Sequence, residues 1–177
     1  IGIDATNILS VGGVIHLQKI LSNSDPREFG FTKVIVWACT DTLGHLSPNS
    51  WLIKKTSKWF ERNNIIRSFW QALFLDKAIK NEKCNLLFIP GGSNWVSFKP
   101  VVTMNQNLLP FEKNESNRYN GIFSKIKWGS LRINQSRAFS KSDGVIFLSR
   151  YARKTVYKNT GQLKGETHII PHGVDNR

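Results

Sequence analysis

The chain has 177 residues, enough for one domain with a sizeable core or for one half of a two-domain protein. Hydrophobic residues make up 40% of it and charged residues 21%, which excludes a disordered polyelectrolyte and a membrane-embedded bundle. With 25 Lys and Arg against 12 Asp and Glu, the formal charge is +13, which predicts an anionic partner: nucleic acid, an anionic bilayer surface or a phosphorylated small molecule.

The first half of the chain is predicted to alternate strands and helices. An apolar strand over residues 1–7 leads through a glycine turn into a helix over 14–22, and residues 33–39 and 85–90 are further predicted strands. Residues 59–83 predict a long amphipathic helix, because apolar residues recur there at close to helical spacing. Those apolar residues are Ile66, Phe69, Trp70, Leu73, Phe74 and Ala78.

The second half continues the same alternation. Strands are predicted over residues 100–104, 144–148 and 167–170, with helices over 115–142 and 150–158. Near-continuous apolar strands separated by helices are typical of a mainly parallel sheet covered on both faces. The sequence therefore predicts a doubly wound α/β fold whose functional loops lie at the carboxyl ends of the strands.

The positions of the cysteines and histidines argue against a disulfide and against a metal site. Cys39 and Cys84 lie far apart in apolar runs, so we expect buried, reduced thiols and neither a disulfide nor a zinc site. The four histidines have no metal-ligand spacing, so no bound metal is predicted. No apolar stretch approaches the roughly 20 residues that span a bilayer, and signal-peptide features are lacking, so a cytoplasmic location is the default expectation.

Gly12 and Gly13 follow the first predicted strand and precede a helix. Backbone N–H groups and the positive end of a helix dipole at such a turn suit a diphosphate. The alternative is a tight turn that needs positive φ. Neither the G-x-G-x-x-G fingerprint nor a Walker A lysine is present.

Two further polar segments follow predicted strands. Asn94 and Trp95, after the double glycine at 91–92, suit a carbohydrate site that combines amide hydrogen bonds with a stacking ring; the alternative packs Trp95 into the core. Asn105, Gln106 and Asn107 place three carboxamides where ligands bind in an open α/β sheet, unless an asparagine merely caps the next turn.

Cations at the start of a helix form another candidate. Ser149 is a predicted N-cap, and Arg150 and Lys154 follow it in the helix, where positive charge opposes the dipole and favours a nearby anion such as phosphate. The alternative is that both side chains simply face water.

Basic residues interleaved with aromatic ones in the two long predicted helices suit an anionic lipid surface, although a solvated helix face is the alternative. Residues 1–88 have 11 basic and 7 acidic side chains (+4), and residues 89–177 have 14 and 5 (+9). The residues concerned are Lys54, Lys55, Lys58, Trp59, Phe60, Arg62, Arg67, Trp70, Lys77, Lys80, Lys83, Lys125, Lys127, Trp128, Arg132, Arg137 and Lys141.

Taken together, the segments IGIDATNILSVGGVIHLQKIL, NLLFIPGG, PVVTMNQNLLPF, GVIFLSRYARKTV and IIPHGVD resemble the N-terminal half of a glycosyltransferase of the GT-B fold, family 4. The resemblance covers nearly the whole chain. It implies a Rossmann-like acceptor-binding domain over residues 1–170, an interdomain linker beginning at 171–177, and a C-terminal donor domain beyond them.

The resemblance also implies an activity. Such enzymes transfer sugar from a nucleotide-sugar donor to a glycan or lipid-linked acceptor, with retention and without a metal or other cofactor, in bacterial polysaccharide or glycolipid synthesis. Gly12 and Gly13 would lie against the donor diphosphate. Asn94, Trp95, Asn105, Gln106, Asn107, Arg150 and Lys154 would contact acceptor or sugar. The domain alone would be inactive, and it would act in the cytoplasm or as a peripheral protein on the inner membrane face.

This chain departs from the family pattern at two places. The family often has a His-Asp pair where Asn105, Gln106 and Asn107 stand, and a glutamate where Arg150 stands. The first change removes any strong base, and the second favours an anionic acceptor. A basic Rossmann-like module that binds a nucleotide or nucleic acid is the competing hypothesis; scattered basic residues and the lack of an RNA-binding or helix-turn-helix signature count against it. A dehydrogenase ranks third.

Overall fold

A computed structural model describes residues 1–92, 95–112 and 122–173, with only the backbone for 122–125. Its strands are β1 (Gly2–Asp4), β2 (Val34–Trp37), β3 (Leu52–Lys55), β4 (Leu87–Ile89), β5 (Val101–Asn105), β6 (Gly144–Phe147) and β7 (Glu166–Ile169). Its helices are α1 (Val11–Ser22), α2 (Thr40–Gly44), α3 (Asn64–Trp70), α4 (Asp76–Asn81), α5 (Ile122–Lys141) and α6 (Arg150–Thr160). A π-helical turn, Gln71–Leu75, joins α3 to α4, and short 3₁₀ turns occur at Pro26–Phe29 and Leu109–Phe111.

The strands form one seven-stranded, all-parallel sheet in the order β3-β2-β1-β4-β5-β6-β7, which confirms the predicted doubly wound, Rossmann-like α/β fold. Every residue of β1 and β2 is buried, as expected for parallel strands covered on both faces. The chain leaves β1 toward β2 and β3, and then returns to β4 on the other side of β1. This change of direction is the topological switch point at which ligands bind in such sheets.

The chain divides into two compact units. Unit 1 comprises residues 1–91 and 95–100, and it contains β1 to β4. Gly2 pairs with both Ile35 and Leu87, so β1 is hydrogen-bonded on both sides. A core of aliphatic side chains from β1, α1 and β2 packs together there, including Ile3, Leu17 and Val36.

Unit 2 comprises residues 92–94 and 101–177, and its described part contains β5 to β7 with α5 and α6. Phe139, Phe147 and Val156 are completely buried in its core. The start of β7 is tightly packed: a Cβ on Gly165 would lie 2.3 Å from the Ser142 carbonyl oxygen and 2.7 Å from that of Asp143. Only glycine fits this position without a backbone shift.

Several boundaries differ from the prediction. Strand β3 was not predicted, because Leu52–Lys55 is only partly buried and half of it is lysine. The helical segment predicted from residue 59 begins at Asn64, because the Asn63 side chain accepts a hydrogen bond from the Ile66 N–H and so caps it. The predicted 115–142 helix is described from Ile122, and the part before it lies outside the described residues.

The apolar residues predicted to form the buried side of the 59–83 helix are only partly buried in the structure. Phe69, Leu73 and Phe74 are exposed, whereas polar Arg67 and Gln71 are buried. Arg67 therefore does not belong to an outward basic surface, and neither do two of the aromatic residues grouped with it, Phe60 and Trp70, which are buried. Both cysteines are buried and free of disulfides, as predicted.

Candidate functional site

The topological switch point beside β1 contains the N-terminus of a helix. Helix α1 begins here at Val11, with Ser10 as its N-cap: the Ser10 hydroxyl accepts a hydrogen bond from the Gly13 N–H at 3.4 Å. Its first turn contains no acidic residue. The positive end of the α1 dipole thus lies at the carboxyl edge of the sheet with no carboxylate in that turn to compete for an anion.

Gly12 and Gly13 both lie within that first helical turn and not in a turn before the helix. Neither has a positive φ, so the tight-turn interpretation is wrong. Gly13 is buried, and a Cβ there would crowd Ile8 and Ser10. Gly12 is exposed, and no atom of the described residues lies within 4 Å of where its Cβ would be, so this position leaves open space beside the helix N-terminus.

A buried aspartate organises the end of β1. Asp4 is 2% exposed. Its Oδ1 accepts hydrogen bonds from the Thr6 N–H at 3.1 Å and the Thr6 hydroxyl at 2.7 Å, and its Oδ2 accepts one from Gln71 Nε2 at 2.6 Å. Gln71 Nε2 also donates to the Thr6 hydroxyl oxygen at 3.1 Å. Asp4 therefore joins the segment that follows β1, through Thr6, to the π-helical turn, through Gln71.

The polar network continues outward through Asn7. Its Nδ2 donates to Gln71 Oε1 at 3.4 Å, and its Oδ1 accepts from Arg67 Nε at 3.1 Å. The Arg67 guanidinium also donates to the carbonyls of Phe60 and Arg62 and to Asn64 Oδ1. The exposed Asn7, next to the α1 N-terminus, is thus held by two buried side chains of the same helical segment.

Burial sets the protonation chemistry of this network. It raises the pKa of the Asp4 carboxyl, and the hydrogen bonds from Thr6 and Gln71 oppose that rise. Burial likewise lowers the pKa of Arg67, although an arginine stays charged at any physiological pH. Because the donors around Asp4 belong to the protein itself, we assign Asp4 a positioning role at the edge of the site.

The raised pKa of Asp4 predicts an unusual pH dependence. The folded chain keeps this proton at pH values where the unfolded chain has lost it, so the stability from Asp4 is complete below the unfolded pKa and falls as pH rises through the folded pKa. We expect the free energy of unfolding of the wild type, minus that of Asp4→Asn, to decrease as pH rises above about 4. Urea titrations at a series of pH values measure this difference; a flat or increasing difference contradicts the prediction.

Asn94 and Trp95, the two site residues predicted after β4, differ in what the structure describes of them. Trp95 is substantially exposed, so it is not the core residue that the alternative interpretation expected. Asn94 lies outside the described residues. Gly92 has φ +70°, and a Cβ there would lie 3.1 Å from the Met104 carbonyl oxygen, so both conformation and space require glycine.

The three carboxamides after β5 lie in unit 2 and differ from one another. Asn107 Oδ1 accepts a hydrogen bond from the Leu109 N–H at 3.0 Å, which is the capping role given as its alternative. Asn105 is buried and donates from Nδ2 to the Asn107 carbonyl at 3.3 Å. Gln106 Nε2 and Gln135 Oε1 on α5 are buried and have no hydrogen-bond partner among the described residues. In this respect Gln106 differs from Asn105, whose buried Nδ2 has the Asn107 carbonyl as its partner.

The cations of α6 lie where the sequence placed them. Ser149 caps the helix, as predicted, because its hydroxyl accepts from the Ala152 N–H at 3.0 Å. Arg150 and Lys154 are exposed, and the neighbouring Tyr151 hydroxyl donates to Glu112 Oε1 at 2.6 Å. A carboxylate thus approaches the first turn of α6 through Tyr151.

Sequence reasoning missed the network around Asp4. The Asp4-x-Thr6 spacing matches a side chain that accepts the N–H two residues on, and that was the available signal. Arg67 and Gln71 had no comparable signal, because their burial depends on which face of the helix meets β1. Comparison with protein-family models found no matching family, and comparison with curated proteins found no match.

None of the described helices is both long and apolar enough to cross a bilayer. Among the same residues, no group of three or more His, Cys, Asp and Glu side chains is arranged to hold a metal ion.

Proposed function

We propose that this chain is the acceptor-binding domain of a retaining, nucleotide-sugar-dependent glycosyltransferase that acts on a glycan or lipid-linked acceptor. The observation that carries the proposal is the edge of β1 at the switch point. The uncluttered N-terminus of α1 there lies next to Asn7, which a buried network holds in place. A helix N-terminus at a switch point suits the diphosphate of a nucleotide sugar.

The chemistry assigned to this chain is positioning and charge stabilisation. A leaving nucleoside diphosphate gains negative charge in the transition state, and N–H groups aimed at it stabilise that state more than the ground state. In this proposal the first turn of α1 contributes part of that stabilisation, and a second α/β domain binds the nucleotide.

The direct test is transfer activity of a protein that joins this chain to such a donor domain. We expect release of nucleoside diphosphate from a nucleotide sugar only when an acceptor glycan is supplied, with product of unchanged anomeric configuration by NMR. This chain alone should give no transfer. A joined, folded protein that neither binds nor hydrolyses any nucleotide sugar would overturn the proposal.

Gly12→Asp separates diphosphate binding from helix stability. A carboxylate in the first turn of α1 favours the helix dipole, and replacing glycine helps as well, so the free energy of unfolding should rise by about 1 kcal/mol. The same charge should repel a diphosphate and raise the donor KM roughly tenfold. Steady-state kinetics and urea unfolding measure the two effects.

Gly12→Ala is the matched control, because its methyl group meets open space and adds no charge. It should keep the donor KM close to that of the wild type. If Gly12→Asp and Gly12→Ala have the same donor KM, the diphosphate does not lie at this helix N-terminus.

The net charge of +13 favours a second candidate, a basic module that binds a nucleotide or nucleic acid. Binding to a generic duplex, measured by fluorescence anisotropy at several salt concentrations, tests it. Tight binding that weakens steeply with salt indicates many phosphate contacts and favours the module over the transferase.

A further inference from the structure

The helical segment from α3 to α4 has an inverted polarity. Arg67 and Gln71 are 4% and 2% exposed, and they face the end of β1. On the opposite side, Ile65, Phe69 and Leu73 are 67%, 58% and 66% exposed. A helix that packs on a sheet normally buries its apolar residues and exposes its polar ones.

The π-helical turn Gln71–Leu75 keeps the buried polar side and the exposed apolar side of this helical segment on opposite sides of its axis. Four buried residues follow one another at intervals of four: Arg67, Gln71, Leu75 and Ile79. In a regular α-helix three such intervals would drift by about 120° around the axis. The wider π turn removes most of that drift. Ile65, Phe69 and Leu73 therefore stay on one line, which the exposed Lys77 continues.

Two aromatic residues widen this apolar line into a surface. The rings of Trp59 and Phe74 contact each other at a centroid distance of 5.8 Å, and both are more than 40% exposed. We call Trp59, Ile65, Phe69, Leu73 and Phe74 the apolar face. Its members lie within one stretch of unit 1, and exposed apolar patches of this kind mark interaction sites.

The charges around the apolar face are positive. Lys58 and Arg62 precede α3, and Lys77 and Lys80 lie on α4, all exposed. The acidic residues of the same stretch have other partners. Glu61 accepts from the Thr40 N–H at 2.8 Å, and the Asp76 carboxylate accepts from the Ser97 and Phe98 N–H groups. Glu82 pairs with Lys55 at 2.9 Å and with Lys33 at 3.7 Å.

We infer that the apolar face and its flanking cations dock this chain on the surface of an anionic lipid bilayer. Exposed aromatic and aliphatic side chains enter the boundary between headgroups and acyl chains, while the lysines and Arg62 meet the anionic headgroups. The combination is specific, because an apolar protein partner would not need the cations and a nucleic acid would not need the aliphatic residues. This docking does not depend on the transferase proposal.

Vesicle co-sedimentation tests the inference directly. The chain should sediment with vesicles of equal parts phosphatidylglycerol and phosphatidylcholine, and stay in the supernatant with phosphatidylcholine alone. The double variant Phe69→Ser/Leu73→Ser should lower the partition coefficient at least about tenfold, because it removes two apolar side chains. Replacing either Lys77 or Lys80 with glutamine should lower the partition coefficient about fivefold. Added salt should also lower it.

Phe29→Ser is the matched control. Phe29 is 71% exposed and apolar, but it lies in the 3₁₀ turn Pro26–Phe29, away from the face in sequence, so sedimentation should not change. Circular dichroism should show the native fold for every variant, since the replaced side chains are exposed. Equal sedimentation of Phe69→Ser/Leu73→Ser and wild type overturns the inference, and so does failure of the wild type to bind anionic vesicles.

Self-association is the remaining outcome to separate. If analytical ultracentrifugation shows a dimer that Phe69→Ser/Leu73→Ser abolishes, and vesicles bind neither protein, the apolar face joins two copies of the chain and the lipid inference is overturned. Vesicle binding needs no nucleotide sugar, so its failure is distinct from failure of the transferase.

Discussion

Replacing Asp4 with alanine should lower the free energy of unfolding by about 3 kcal/mol. The buried Thr6 N–H and Gln71 Nε2 would each lose the Asp4 oxygen that accepts their hydrogen bond, and a buried donor left without an acceptor costs about 1–3 kcal/mol. Gln71 would also lose the hydrogen bond to Asp4 that fixes its side chain in position to accept from Asn7. Urea unfolding measures the stability, and loosening of Asn7 beside the α1 N-terminus should raise the donor KM in a transferase assay.

Asp25→Ala is the control for this effect. Asp25 also accepts a hydrogen bond from the N–H two residues on, that of Arg27 at 2.9 Å, but the interaction is exposed to solvent. Water can replace the lost acceptor, so the loss of stability should be much smaller than for Asp4→Ala. Equal losses in the two variants would mean that burial is not what makes Asp4 important.

Replacing Gly165 with alanine should destabilise unit 2 by about 3 kcal/mol or more. The new methyl carbon would meet the carbonyl oxygens of Ser142 and Asp143, both backbone atoms that cannot rotate away. Asp143 is itself fixed, because its carbonyl accepts from the Glu166 N–H at 2.9 Å and its Oδ2 from the Val101 N–H at 2.8 Å. Relieving the clash would therefore disturb the starts of three neighbouring strands, β5, β6 and β7.

Gly129→Ala is the opposite case in the same unit. Gly129 lies inside α5, and the part of the chain that the structure describes has no atom within 4 Å of its Cβ position, so alanine should stabilise the helix by about 1 kcal/mol. Thermal unfolding of both variants is the measurement. A Gly165→Ala protein as stable as wild type would show that the backbone at the start of β7 can move away from the new methyl group without loss of folding free energy.

The sequence allowed the fold to be predicted because the parallel strands are nearly continuous apolar runs, such as Val34–Trp37. It did not reveal β3, whose Leu52–Lys55 stretch is only partly buried and so lacks a clear apolar pattern. The helix preceding β4 was predicted, but its buried face was not. Apolar spacing pointed to Phe69 and Leu73, and the structure buries Arg67 and Gln71 because Asn7 and Asp4 supply their polar partners.

The candidate site was predictable where local sequence determines it. Ser149 caps α6 through a contact three residues away, so a short pattern is sufficient. The Asp4 network could not be predicted in this way, since Gln71 lies 67 residues from Asp4 along the chain. Gly12 and Gly13 were predicted to form a turn before the first helix, but the helix already begins at Val11, after the Ser10 cap, and includes both glycines.

The position of β1 in unit 1 has a consequence for folding during synthesis. β1 is made before β2 and β4, yet it pairs with both of them: with β2 on one side and with β4 on the other, where Gly2 meets Leu87. Its second edge, and the buried carboxylate of Asp4, must therefore wait until Gln71 and then β4 have left the ribosome. In unit 2 the strands pair in the order in which they are made, from β5 to β6 to β7. The earliest residues of unit 1 are thus among the last to complete their contacts, and during that interval they are the part of the unit most open to mispairing.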